Sequence, residues 1–559
     1  MRNTFKSRRK LLSSTAVCLS LLYSGHAAYA FTYQSGNGLV VRLDNTIQYS
    51  VAERTAPESS FFANNANAND GDNNLRAGIV SNRVDLITDF DISDNGYGFD
   101  ASADSFYDTV YNQKTQNTSG ATYNAAQQPF DKFTSETQAQ AGRNIELRNL
   151  FVYGSTSIDS IPVTLHVGRL VNVWGESLLF AANGIAYGMA PLDIARGVSV
   201  PNTQAKDLFL PVGQALISAQ LSDSISVSGY YQFEWEKFNF IPSGSYFSPS
   251  DIFDAGGERL YAKALSPYIS PESPGSAAYF YRGATLNGSD TGQFGASLHY
   301  DPENTPWDFG IYALQYNDSE SQVYTRPSGK APVLVRGTAP GSPTAFSLGT
   351  YQTVYANGIQ MYGVSASTTV GALNLAGEAS IRVNEDLRST VTVEPGQTAG
   401  NNEHDALYAI GDVAHYQVSE VYLGPKIPGL WDASSVTGEA AGENLFAIVK
   451  NKQNFDRVDS QHAALGVRMI GTATYYEVLS GLDVSPSIGL GWNFMGKSPD
   501  TGAFNGTGID RGGDVTFGIG GTYNNIWTGG IKYTYYIAPP GRDKFADRDF
   551  VTFNVERTF

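Results

Sequence analysis

The two ends of the chain together constrain its fold more than anything between them. Arg2, Lys6, Arg8, Arg9 and Lys10 precede an apolar run from Leu11 to Leu22, and Ala28-Tyr29-Ala30 offers small residues for cleavage. That is the pattern of a removable secretion leader over residues 1–30. At the other end Val551, Phe553, Val555 and Phe559 alternate with Thr552, Asn554, Glu556 and Thr558, and Arg557 alone interrupts the apolar side. Period-2 alternation specifies a strand with one apolar face. An exported chain ending on such a strand, with a terminal aromatic, is expected to be a transmembrane antiparallel β-barrel of the bacterial cell outer membrane.

Composition agrees with that expectation. The chain has 559 residues, yet past the leader no apolar stretch approaches the roughly 18 to 20 residues of a membrane helix. Mean hydropathy is -0.23, as expected where only every second strand residue must be apolar. Gly 58, Tyr 33 and Phe 30 suit barrel turns and interfacial aromatic girdles. The single cysteine, Cys18, lies inside the leader, which excludes a disulfide or cysteine nucleophile from the mature chain. Thr15-Ala16-Val17-Cys18 makes a poor lipidation box, because a Leu-rich stretch continues past it. Without the leader's five cations, 32 of the 37 Lys and Arg remain against 54 acids, a balance of -22. Nucleic acid, which demands clustered cations, is not an expected partner.

Alternation recurs along the chain. Leu39, Val41, Leu43, Ile47, Tyr49 and Val51 share one parity; Val84, Leu86, Phe90 and Ile92 share another, before the turn Ser93-Asp94-Asn95-Gly96. Ile225, Val227, Gly229, Tyr231, Phe233 and Trp235 read as one outward side, with Ser226, Ser228, Tyr230, Gln232, Glu234 and Glu236 inward. Leu373 to Val383 repeats the pattern, and Val515 to Ile519 with Trp527 to Tyr535 reads as a late hairpin. Short turns alternate with long polar segments at Ala56–Ala77, Thr109–Arg143, Ser243–Gly292, Ser319–Asn357 and Arg388–Asn454. At about thirty residues per strand and loop, residues 31–559 form a single barrel domain with an even strand count of about 14 to 18. A secreted sandwich or solenoid also alternates, but the strands are long and no internal repeat is visible.

Gly175 to Gln214 departs from this pattern. Its apolar clusters do not alternate, and Pro191, Pro201 and Pro211 are poor members of a membrane ladder. Two readings fit: an inward-folded segment that narrows the pore, or an ordinary external loop.

Candidate pore residues follow from parity. Asp85, Asp89 and Asp91 on one strand and Asp100, Asp104 and Asp108 on the next face one side. Six carboxylates cannot face lipid, so that side is the lumen. They predict either an acidic strip favouring cations or amine-bearing solutes, or simply a hydrated wall, with Arg83 as the nearest counter-charge. Enzymatic signatures are weak. The histidines His166, His299, His404, His415 and His462 are scattered, and no nucleophile elbow, zincin helix or phosphate loop occurs. Gly295-Ala296-Ser297-Leu298-His299 lacks the elbow's final glycine and sits in a strand. Asn64 to Asn74, with Asp70-Gly71-Asp72, has half the oxygens of a calcium loop and reads as irregular loop, as does Gly502 to Asp514. No cofactor, metal or catalytic residue is expected.

Gly168-Arg169-Leu170-Val171-Asn172-Val173-Trp174-Gly175-Glu176-Ser177, Tyr231 to Lys237 and Gly244-Ser245-Tyr246-Phe247-Ser248 carry a resemblance. With Ala30-Phe31, Gly36-Asn37-Gly38 and Phe106-Tyr107-Asp108, the chain resembles the domain of unknown function thirteen-oh-two family of large Gram-negative proteins. The likeness runs over essentially the whole mature chain. It departs at Val200-Pro201-Asn202, where the family more usually has Pro-Gly followed by acidic residues.

The resemblance implies a porin-like channel moving small hydrophobic or amphipathic solutes across the outer membrane, in contact with outer-membrane lipid. It also implies a possible periplasmic or outer-membrane lipoprotein partner and an exporter. Arg169, Trp174 and Glu176, with Glu234, are the candidates for a constriction or ligand contact. In the alternative reading Trp174 is a girdle residue and Arg169 pairs with Glu176. Two further roles stay open: a non-conducting scaffold of an envelope transport complex, and a surface esterase or lipase displayed on the barrel.

Overall fold

Alternation resolves into eighteen strands that hydrogen-bond antiparallel in chain order and close on themselves. The structure is a computed structural model describing residues 31–36, 38–120, 123–125, 128–201, 208–253, 255–262, 278–330, 333–336, 344–395, 400–500, 510–538 and 543–559. The leader, and most of Gly502 to Asp514, lie outside these. In chain order, β1 to β6 are Val40–Arg54, Gly78–Asp94, Tyr97–Asp108, Arg143–Ile158, Ile161–Leu170 and Val212–Ser222. Next, β7 to β12 are Ile225–Gln232, Gln293–Tyr300, Trp307–Tyr316, Ile359–Val370, Leu373–Leu387 and Ala409–Gly424. Finally, β13 to β18 are Ala433–Lys450, Ala463–Leu479, Leu482–Met495, Gly513–Tyr523, Trp527–Tyr536 and Phe550–Thr558.

Closure is made by β1 and β18, from Thr46↔Thr558 to Arg54↔Phe550. A short strand, Phe31–Gln34, pairs with Val40 to Leu43 and covers the part of β1 that β18 leaves free. Arg557, the interruption in the terminal strand, lies 5.2 Å from the Trp527 ring and 6.0 Å from that of Phe559. A guanidinium on aromatic faces suits a membrane boundary.

The polarity of a soluble protein is inverted. Ile145, Val418, Phe446 and Ile519 are exposed on the outer face, Ile145 by 82%. Gln214, Arg382, His415, Gln417, Glu443 and Asn554 are buried inside. Among the described residues no helix is long and apolar enough to cross a membrane. The barrel surface supplies the apolar belt instead, where a charge at mid-depth would cost about 2–4 kcal/mol.

Turns and loops occupy opposite ends. At one end two-residue turns such as Asn95-Gly96 join strands, with φ of 48° and 87° as a tight hairpin requires. At the other, long connections build a second, mixed sheet of six strands, including Ser321–Pro327 and Thr344–Tyr355. Arg54, Asp72, Asp547 and Arg548 form a buried ion network there, with Arg54 2.8 Å from Asp72 and Arg548 2.6 Å from Asp547. It ties β1 to the connections on either side of the closure.

Three expectations need correction. The stretch Arg388–Asn454 is not one long loop: it contains β12 and β13. Asn64 to Asn74 is ordered rather than irregular, with Asp70–Asn74 helical and Asp72 buried between Arg54 and Arg548. The outward side of β7 ends before Trp235, whose indole Nε1 donates to the Asp318 carbonyl at 3.0 Å inside the loop end.

Gly168 sits in regular register near the exit from β5, but at a positive φ. Its φ is +139°, and a Cβ there would meet the Leu150 carbonyl oxygen at 2.3 Å and Phe151 Cα at 2.6 Å. Gly229 in β7 has room, its nearest neighbour lying at 3.5 Å. Gly168→Ala is therefore expected to destabilise the barrel by about 1–3 kcal/mol, and Gly229→Ala far less. The temperature at which the folded band shifts in detergent gels measures both; equal shifts would refute the strain.

Candidate constriction

After β5 the chain leaves the wall, and residues 171–201 and 208–211 lie inside the lumen before it rejoins the wall as β6. Of the two readings of Gly175 to Gln214, the inward-folded one holds. The segment forms short turns at Ala181–Asn183 and Ile185–Gly188 and a helix at Ile194–Ser199, too little regular structure to satisfy its own amides. Two wall carboxylates do so. Glu439 on β13 accepts the amides of Leu178, Leu179 and Phe180, the last at 2.8 Å. Glu378 on β11 accepts those of Glu176 and Ile185, the latter at 2.9 Å. Successive amides aimed at one carboxylate form an anion-binding nest, and hydrogen bonds to a charged group contribute about 1.5–3 kcal/mol each. Gly175 permits this approach, because a Cβ would fall 2.2 Å from Glu378 Oε2.

The far end of the segment is held by the opposite wall. Gln48 Nε2 donates to the Pro201 carbonyl at 2.9 Å, Arg148 donates to that of Phe209 at 3.2 Å, and Arg196 pairs with Asp104 on β3. The segment is thus a shelf anchored on both sides. Towards β7–β11 it fills the lumen with apolar packing, as Ile185, Tyr187, Met189 and Leu192 meet Tyr230, Tyr312, Leu314 and Met361.

The remaining space is a cavity of about 510 Å³ between the shelf, the wall and the connection after β7. Its lining mixes Phe106, Phe238 and Phe247 with Arg83, Arg169 and Lys237. Acids face it as well, among them Asp104, Glu146, Asp193 and Glu236, so the narrow zone carries paired charge of both signs.

The predicted residues divide. Asp85 is fully buried and held by Arg83 at 2.6 Å, and Asp104 is closed by Arg196. Asp108 accepts from Ser81 Oγ at 2.6 Å. The continuous acidic strip therefore ends where the shelf begins, because two arginines neutralise its upper part. Below, Asp91 lies opposite Asp100, and Asp89 opposite Asp44, in the register of β1–β3. Asp89 is exposed, and Asp91 accepts from Tyr153 Oη at 3.0 Å. These four, with Arg42 paired to Asp44 at 2.8 Å, form a net acidic vestibule at the turn end.

Arg169, Trp174 and Glu176 do not meet at one point, and the Arg169–Glu176 pair does not form. Arg169 lines the cavity and pairs with Glu234 at 2.5 Å, with Glu236 at 3.8 Å. Glu234 also accepts the Gly213 amide, which draws it across the start of β6. Trp174 is no girdle residue: it packs inside, 5.2 Å from Tyr230 and 6.1 Å from Tyr312. Glu176 is raised in pKa by burial, with Asp308 adding repulsion. Residue parity left out Arg196, Glu378 and Glu439 as anchors, since each acts on a partner distant in sequence. Of the histidines, His415 is buried beside Glu385 and Asp500 at metal-ligand spacing. Ser297 Oγ accepts and donates no hydrogen bond to any described group, an imidazole included.

Asp193 begins the shelf helix, its carboxylate accepting from the Arg196 amide at 2.9 Å and from Asn239 Nδ2 at 3.0 Å. Burial, reinforced by Glu146, raises its carboxyl from 3.8 to about 6 against relief from the Arg196 amide. The docked helix thus prefers the protonated form. Docking is strongest below pH 4, weakens as pH rises to about 6, and is then constant, the change amounting to about 3 kcal/mol. Hydrogen exchange of residues 194–200, corrected for intrinsic rates, should show protection falling over that window in the wild type. The slope should vanish in Asp193→Asn; a slope unchanged by that substitution would contradict the assignment.

Comparison with known proteins adds the following. No curated protein matches the chain. Among solved structures it is similar to the outer membrane channel DcaP of Acinetobacter baumannii, at 8% identity and a TM-score of 0.38, covering 94% of this chain and 99% of that one. It is also similar to OccAB4 of Acinetobacter baumannii, at 11% identity, a TM-score of 0.43 and coverage of 93% and 98%. A BenF-like porin from Pseudomonas fluorescens Pf-5 gives 8% identity, a TM-score of 0.42 and the same coverage of 93% and 98%. A family profile matches residues 11–559. The chain therefore belongs to the family described as Protein of unknown function (DUF1302).

Proposed function

We propose that this protein is an outer-membrane channel passing small hydrophobic or amphipathic solutes, without a cofactor or energy of its own. The observation that carries this reading is the inverted barrel with a cavity of about 510 Å³ left beside the shelf. Water-facing polar groups inside and an apolar belt outside are what a pore through lipid requires. Aromatic rings and paired charges share the cavity wall, so a solute with an apolar body and a polar end finds partners for both. The acidic vestibule of Asp44, Asp89, Asp91 and Asp100 would concentrate cations at the turn end.

A scaffold is the second reading, favoured by the apolar packing of the shelf against β7–β11; an envelope lipoprotein or exporter would be its partner. A lipolytic role finds less support, since Ser297 Oγ is buried without a hydrogen-bonding base.

Refolded barrel in a planar bilayer is expected to give steady open steps with a cation preference. Replacing Asp89, Asp91 and Asp100 with asparagine should move the reversal potential in a salt gradient towards zero. The same change at Asp85 and Asp104 should alter step size instead, through Arg83 and Arg196. Silence from properly folded barrel would refute the channel and favour the scaffold.

A further inference from the structure

The lumen holds a second group of polar side chains, remote from the cavity, that the channel reading does not use. A bulge in β11, with Asn384 at a φ of 62°, places both Arg382 and Glu385 on the inner face. One ligand atom each from Glu385, His415 and Asp500 lies within 4.8 Å of the others, and all three residues are buried. Glu443, opposite His415 in the β12–β13 register, is fully buried, with Oε2 3.9 Å from His415 Nδ1.

Two observations point beyond a network of ion pairs. Among the described residues Glu443 has only the Ser498 hydroxyl as a neighbouring donor, and that hydroxyl donates to Asp500. An uncompensated buried carboxylate is costly. The hydrogen bonds of Asn183 also fix the imidazole. Its Nδ2 donates to Gln417 Oε1 at 3.2 Å, so its Oδ1, 2.9 Å from His415 Nδ1, must accept the ring's N–H. His415 Nε2 then points a lone pair at Glu385 Oε2, 3.2 Å away. Two acceptors face each other, a gap that either a proton on Glu385 or a bound cation fills.

We propose that Glu385, His415 and Asp500, with Glu443 beside them, bind a divalent transition-metal ion of the zinc class. An imidazole with carboxylates is a donor set for such ions, whereas calcium and magnesium take oxygen alone. Arg382, 2.9 Å from Glu385 and 3.9 Å from Asp500, is present as a cation. Three carboxylates against this guanidinium leave two negative charges for the ion to balance. Asn183 sets the tautomer as an outer partner should, and it belongs to the shelf. The ion would therefore fasten the shelf, the wall and the connection after β15 at one point.

Refolded protein stripped with a chelator and then given excess ZnCl₂ should retain one equivalent of Zn²⁺ after gel filtration, read by elemental analysis. His415→Asn and Glu443→Gln should each weaken zinc binding by about 10–100-fold. Asp500→Asn changes a side chain on the connection after β15 and leaves every wall side chain in place, and should weaken binding likewise. No zinc on folded wild-type protein, or zinc held equally by all three variants, would overturn the proposal.

Discussion

Closure of the ladder between β1 and β18 is the constraint on which everything else rests. A strand edge in hydrocarbon would leave a row of amides and carbonyls unsatisfied, at several kcal/mol per group, so a sheet can cross a membrane only as a closed cylinder. Pairing from Thr46↔Thr558 to Arg54↔Phe550 removes the last edge, and Phe31–Gln34 covers what remains of β1. Closure also fixes which parity of every strand faces inward, and so places Glu378, Glu439 and Asp104 where the crossing segment can meet them.

The shelf depends on that placement in turn. Its described residues, 171–201 and 208–211, have too little regular structure to pair their own amides, and a segment of this kind survives inside a membrane protein only where protein or water satisfies its backbone. Glu378 and Glu439 do so from one wall, and Gln48, Asp104 and Arg148 from the other. The width of the passage is therefore set by a few long-range polar contacts. Asp104 answers Arg196 of the shelf and Asp85 answers Arg83, which confines the net acidity of the β2–β3 strip to the vestibule.

How much of this was legible in the sequence depended on range. Strands with large apolar residues on one parity, such as Ile225 to Tyr231, were readable, as was the Asn95-Gly96 turn. The inward shelf was visible through its prolines and broken alternation, though not distinguishable from a loop. Strand β13 escaped because Gly438, Ala440 and Gly442 stand where large apolar residues were sought. The structure gives the reason: a Cβ on Gly442 would fall 2.5 Å from Leu465 and 2.6 Å from Tyr416, so neighbouring strands supply the apolar cover. Strand β12 was obscured by Asp412 and Glu420 on its outer parity. The acidic strip was legible as one parity, but its neutralisation by Arg196, 92 residues from Asp104, has no local signal. Nor does the nest at Glu439, about 260 residues from the amides it holds.

The most direct test of a solute path beside the shelf uses the chain's lack of any cysteine after Cys18. Ser199→Cys places a thiol on the cavity wall, and Val418→Cys places one on the lipid-facing belt. A charged methanethiosulfonate reagent added to open single channels should reduce the Ser199→Cys current in one discrete step and leave Val418→Cys unchanged. An open Ser199→Cys channel whose current does not respond to a reagent shown by mass spectrometry to have reacted would contradict the account.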